Sequence, residues 1–269
     1  MQNEQNNLIK IHANLLDEHR VWLGGFCNNR LKKWEDLLKA NPEAAICEAA
    51  ARKLLFEQEV SVEPNENLAT GGPDFLCSKD GKNFYVEVTC ITIEKATKAT
   101  KLESEPKNSG VQWFSLAHNR ILGEIISKTS QCSKRKLDAP CLLVIGTLHQ
   151  RAGDAWCNDF TIGSLLTGTP KIGAPLDVNS RRFEPTGPIS HLDDSAYIKF
   201  SKKGNNIELP RNPVSAVMIL RISSKSLWSV KGFLNPNPTH TFERNLLPNI
   251  KFGRLVDGYQ NGSLKVEWT

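Results

Sequence analysis

The chain has no run of the roughly 18 apolar residues that a membrane-spanning helix requires. Its polar start, Met1 to Asn7, lacks the basic flank and apolar core of a secretory leader. There is no Cys-x-x-Cys pair among the seven cysteines (27, 47, 77, 90, 132, 141 and 157), which argues against a zinc ribbon or a thioredoxin-like site. Scattered reduced thiols and the missing leader set the expectation of a cytoplasmic protein without a membrane partner. The six histidines (12, 19, 118, 149, 191 and 240) are dispersed, and no His-Glu-x-x-His occurs. A Walker loop, a Gly-x-Ser-x-Gly elbow, a Gly-x-Gly-x-x-Gly turn and internal repeats are also absent.

What is present is ordinary globular composition. With 269 residues, 39% of them hydrophobic, the chain is long enough to bury a substantial core. The net charge of +5 permits a polyanionic partner without demanding one. Basic groups gather at Lys95, Lys98 and Lys101, at Lys134-Arg135-Lys136, at Arg181-Arg182 and at Lys202-Lys203. Each cluster alone reads as solvated surface; beside a phosphodiesterase site they would suit nucleic acid.

Helical spacing marks an N-terminal arm over residues 1–39, interrupted at Gly24-Gly25. Asn41 as cap and Pro42 in the first turn then start an alanine-rich helix over Ala44 to Gln58. Two strands, Gly72 to Cys77 and Asn83 to Ile91, are joined through Asp80-Gly81, a hairpin signal. Residues 92–112, rich in Thr, Lys, Ser and Glu, read as a mobile or functional connection. Helical periodicity returns from Trp113 to Cys132, and the apolar run Cys141 to Gly146 suits a central strand. Residues 149–213, punctuated by Gly and Pro, read as a loop-rich insertion with one short helix near Phe160 to Leu166. Residues 214–269 supply another buried strand, Val214 to Ile222, and a hairpin turning at Asn261-Gly262. The expected class is α/β, a sheet with helices packed on it.

Strand alternation puts Phe84, Val86, Val88 and Cys90 on one face and Tyr85, Glu87, Thr89 and Ile91 on the other. A carboxylate between Val86 and Val88 is costly to bury without a cationic partner, and Asp74 between Pro73 and Phe75 poses the same problem. Two acids on adjacent strands can converge on a hard cation such as Mg²⁺. Taken singly, Glu87 reads as a solvated strand residue and Asp74 as a turn cap; together they point to a site.

Gly72-Pro73-Asp74-Phe75, followed by Val86-Glu87-Val88-Thr89, resembles the signature of the PD-(D/E)XK, or restriction-endonuclease-like, nuclease superfamily. The resemblance covers residues 40–148. It implies a mixed central sheet with flanking helices in αβββαβ order, and a nuclease that hydrolyses phosphodiester bonds, DNA being the expected partner. It further implies that Asp74 and Glu87 hold Mg²⁺ or Mn²⁺, which would polarise the phosphate and activate a water. A glutamate on the first core helix is often part of such sites. Glu48, in stripe with Ala44, Ala51 and Leu55, is the best match; an ion pair with Arg52 is its alternative reading.

Position 89 departs from the pattern, being threonine where the motif has lysine. Lys128 is the replacement candidate because it prolongs the apolar stripe of Ile121 and Ile125, and Lys128-Thr129-Ser130-Gln131 resembles the Lys-x-x-Gln of some members. Gln131 would orient water or phosphate. The competing assignment is a Glu124–Lys128 surface pair. A non-catalytic nucleic-acid-binding or assembly protein is the rival function, with Thr89 as its support. An enzyme of another class using residues 149–213 is a third, and His191-Leu192-Asp193-Asp194 could bind a cation there or lie on the surface. A homodimer would suit cleavage of both strands, although no interface is readable.

Overall fold

The computed structural model describes all residues except 1, 67–70, 105–113, 173–175, 178–181, 184–187, 192–194, 202–205, 224–227 and 257–263. Helices α1 (Gln2–Ile11), α2 (Ala13–Gly24) and α3 (Asn28–Ala40) form the N-terminal arm. Helix α4 (Pro42–Glu57) begins as its sequence dictates: Asn41 Oδ1 accepts the Ala44 amide at 3.2 Å, and proline occupies the first position. Its alanines are small enough to bring the backbone close to the sheet. The closest approach is at Gly146, where a Cβ would lie 2.6 Å from the Cys47 sulfur.

Strands β1 (Ser61–Pro64), β2 (Phe75–Lys79) and β3 (Lys82–Cys90) form an antiparallel meander. Asp80 and Gly81, both at positive φ (53° and 73°), make the tight turn between the last two. After α5 (Ile93–Thr100) and α6 (Phe114–Ser133), β4 (Cys141–Thr147) pairs parallel with β3. Every residue of β4 is buried, as its apolar run predicts.

Two helices, α7 (Gln150–Trp156) and α8 (Asp159–Thr167), come next. Four short strands follow: β5 (Thr169–Ile172), β6 (Leu176–Asp177), β7 (Arg182–Phe183) and β8 (Pro188–His191). Two more, β9 (Lys199–Ser201) and β10 (Asn206–Glu208), pair with each other. The chain then returns to the main sheet through β11 (Val214–Ile222), β12 (Trp228–Leu234), β13 (Phe252–Leu255) and β14 (Val266–Trp268). The sheet is mixed and eight-stranded, in the order β1-β2-β3-β4-β11-β12-β13-β14. The protein is therefore α/β, with helices on both faces of the sheet. Among the described residues no helix is long and apolar enough to cross a membrane.

Alternation along the central strands feeds two cores. Leu142, Val144, Met218 and Leu220 pack with Phe84, Val86 and the alanines of α4. Leu143, Ile145, Val217 and Ile219 pack with Ile121, Ile125 and Trp156 on the opposite face. All seven cysteines are free thiols; Cys77 and Cys141 are buried as expected, Cys90 only half so.

Several expectations need correcting. The connection at 92–112 contains helix α5, capped by Thr92 accepting the Lys95 amide at 3.4 Å and seated on buried Ala96 and Thr100. The short helix expected near Phe160 to Leu166 is α8, but α7 before it was not foreseen, and Trp156, Ile162 and Leu165 of the two belong to the second core. Strands β1 and β12 were not foreseen. The turn expected at Asn261-Gly262, Arg181, Lys202-Lys203, Trp113 and residues 192–194 all lie outside the described residues.

Candidate active site

Three elements place the carboxylates. Asp74 directly precedes β2, and the loop before it is tied down by Asn65, whose amides donate to Asp74 O at 2.8 Å and Pro73 O at 3.2 Å. The antiparallel register, Phe75 opposite Val86, brings Asp74 beside the end of β3. There Asp74 Oδ2 accepts the Val88 amide at 2.6 Å. Glu87 sits between two residues of the first core but points to the other face, towards α6, as alternation requires. Its side chain is only 6% exposed.

The cation foreseen for it is present. Lys128 Nζ lies 2.7 Å from Glu87 Oε1. The competing Glu124 turns instead to Arg120 and to the Thr89 hydroxyl, the latter at 3.4 Å. Thr89 is thus a hydrogen-bonding residue, while the positive charge beside Glu87 comes from the helix. A second cation was missed at the sequence level. Arg135 Nη1 is 3.5 Å from Glu87 Oε2, and its other terminal nitrogen is 3.3 Å from where a Cβ on Gly71 would sit. In sequence Arg135 stands between two lysines as solvated surface; it lies two residues past the end of α6, where the helical stripe of Ile121, Ile125 and Lys128 no longer guides the reading.

Glu48 projects from α4 and, with Asp74, lines a cleft of about 250 Å³. Burial and the neighbouring Asp74 and Glu66 raise its carboxyl well above the usual range, against the opposing pull of Lys33. The Arg52 ion pair considered for it is not what Arg52 does: that guanidinium lies 3.9 Å from Glu18 and over the Trp22 ring. Asp74 is pushed up to about 8, first by burial and next by Glu87, with the Val88 amide opposing. Gln131 is exposed and makes no side-chain hydrogen bond among the described residues.

No family profile, curated protein or solved structure matches this chain. The chemistry of the site must therefore be read from its own atoms. Among the described residues no three His, Cys, Asp or Glu side chains are grouped closely enough to hold a metal ion. Two carboxylates remain, Asp74 and Glu87. Magnesium is commonly bound by one or two carboxylates, with waters and substrate phosphate completing the shell, and a ready-made protein cage is not required. The raised Asp74 fits this: burial and a second acid disfavour its charged form, which a divalent cation would favour again.

Proposed function

We propose that the protein is a cytoplasmic Mg²⁺- or Mn²⁺-dependent nuclease of the restriction-endonuclease-like type, hydrolysing phosphodiester bonds in DNA. The observation that carries this reading is the convergence of Asp74, Glu87 and Lys128 from the loop entering β2, from β3 and from α6, with the lysine 2.7 Å from the glutamate. Asp74 and Glu87 would hold the metal, which when bound polarises the phosphate and acidifies a water. The remaining work belongs to the chain. The Val88 amide fixes one Asp74 oxygen and so orients the carboxylate. Lys128 holds Glu87 in place and presents positive charge where the phosphate becomes more negative on attack. Glu48 brings a further carboxyl to the cleft beside Asp74, and Gln131 offers an exposed amide one helical turn beyond Lys128.

One observation favours a second reading. Lys128 and Arg135 both approach Glu87, so this carboxylate is neutralised by the protein itself. A nucleic-acid-binding protein that keeps the fold without the reaction would show the same pairing. Incubation of purified protein with plasmid and oligonucleotide DNA, with Mg²⁺ or Mn²⁺ and with chelator, separates the two. The nuclease reading expects metal-dependent cleavage that falls at least about 100-fold in Asp74→Asn and Glu87→Gln, both still folded. Equal cleavage by wild type and variants would falsify it.

A further inference from the structure

The cleft beside Asp74 has walls of two kinds. One is the catalytic edge, Glu48 and Asp74; the other is the N-terminal arm, which contributes Arg30, Trp34 and Leu37 from α3 and His19 from α2. Its roughly 250 Å³ falls below the ~300–1,000 Å³ of clefts that take drug-sized molecules, which suits a single base or nucleoside. The wall is also incomplete in its hydrogen bonding. His19 is 1% exposed and packs at a tilt against the Trp22 and Trp34 rings, at 5.1 and 4.7 Å, and among the described residues its Nδ1 has no hydrogen-bond partner. The buried Trp34 Nε1 has none either. Orphaned polar atoms of this kind cost stability unless something pairs with them, and a small shift of the wall would bring them to the edge of a nucleobase, which offers donors and acceptors side by side. Arg30 forms no ion pair among the described residues, whereas Lys33 is held by Glu66 at 2.8 Å. A planar guanidinium with free donors is the side chain best suited to a phosphate.

We propose that this cleft receives one unpaired nucleotide of the DNA substrate, its base against Trp34, Phe75 and Leu37 and its phosphate at Arg30. A base stacked within a duplex cannot enter; one at a frayed end, a mismatch or a single strand can. The chain would then act on DNA carrying unpaired nucleotides and would discriminate against uniform duplex. The choice of DNA as ligand rests on the nuclease reading of Asp74 and Glu87, but the cleft can be tested without turnover.

Fluorescence anisotropy in chelator, with a labelled short single strand and the corresponding blunt duplex, reads affinity alone. Wild type should prefer the single strand by at least about fivefold, the contribution of one stacked base. Leu37→Trp, which fills the cleft, and Arg30→Ala, which removes the guanidinium from its half-buried wall, should each erase that preference and leave duplex binding unchanged. Equal affinity of wild type for both probes, no binding to either, or a preference retained in both variants overturns the subsite. If Leu37→Trp lowers the melting temperature, Arg30→Ala alone decides. Uncleaved DNA with the preference intact would overturn the nuclease and leave the subsite standing.

Discussion

The two halves of the site solve opposite electrostatic problems. On the α6 side, Glu87 is enclosed but matched, with Lys128 at 2.7 Å and Arg135 at 3.5 Å. On the α4 side, Glu48 and Asp74 share a cleft without such a partner; Lys33 pulls on Glu48 from a distance while being held by Glu66. Both halves bury acids, yet only one carries its counter-charge. The difference teaches where a cation is wanted: on the Asp74 side, against an acid already raised to about 8 by burial and by Glu87. Lys128 pulls on Asp74 only as the last of several influences, since its ammonium is engaged by Glu87.

The sharpest way to break the comparison is to remove the matched cation. Lys128→Met should reduce metal-dependent cleavage by about 100-fold or more, the effect of losing one group aimed at developing charge. Arg135→Met, at the longer distance, should cost less than Lys128→Met in the same assay. Equal losses would mean that the two cations act as one cluster.

The unmatched half makes a prediction about pH. Asp74 is raised from 3.8 to about 8 on folding, so the folded state holds its proton where the unfolded chain has lost it. Stability from this group is complete below the unfolded value and is lost as pH rises through about 8. His19 runs the other way: lowered from 6.5 to about 3, chiefly by burial, it favours the folded state above 6.5 and loses that contribution as pH falls towards 3. The window between 6.5 and about 8 therefore belongs to Asp74, together with the raised Glu48. Thermal melts of metal-free protein should decline across that window, and Asp74→Asn should flatten the decline. Saturating Mg²⁺ or Mn²⁺ should raise the melting temperature most at its upper end, by the equivalent of about 2.7 kcal/mol at a hundredfold excess over Kd. A metal effect unchanged in Asp74→Asn would place the cation elsewhere.

Smaller effects test the frame around the site. Gly146→Ala forces a methyl to within 2.6 Å of the Cys47 sulfur and should destabilise by about 1–3 kcal/mol in denaturant titrations. Gln131→Ala, at an exposed position, should leave stability within about 0.5 kcal/mol and reduce cleavage less than Lys128→Met does. A large loss of activity there would show that the exposed amide meets the substrate.

Local rules made half of this site legible and left the other half hidden. Asp74 and Glu87 could be read because a carboxylate among valines and phenylalanine is anomalous within a few residues of itself. Lys128 could be read because it continues an apolar stripe whose buried members, Ile121 and Ile125, lie on the same helix. The wall formed by Arg30, Trp34 and His19 carries no such local anomaly; only the folding of the arm against α4 brings it to Asp74. Among the strands, β1 escaped notice because four residues ending in proline give too short an alternation. Strand β12 was hidden by Ser229, Lys231 and Gly232, which dilute its apolar pattern. Helix α5 is hidden within a stretch that reads as a mobile or functional connection, because its threonines and lysines mask a buried face of only two residues.

The contact between Cys47 and Gly146 has a mechanical consequence for Glu48. Helix α4 rests on β4 at a hard stop made by a sulfur against bare backbone, one residue from the carboxylate. With so short a lever arm, a tilt of the helix about that point displaces Glu48 very little, while the distal end near Phe56 swings widely. The stop thus sets how near the Glu48 end of the helix can come to β4, the strand paired with the one that carries Glu87.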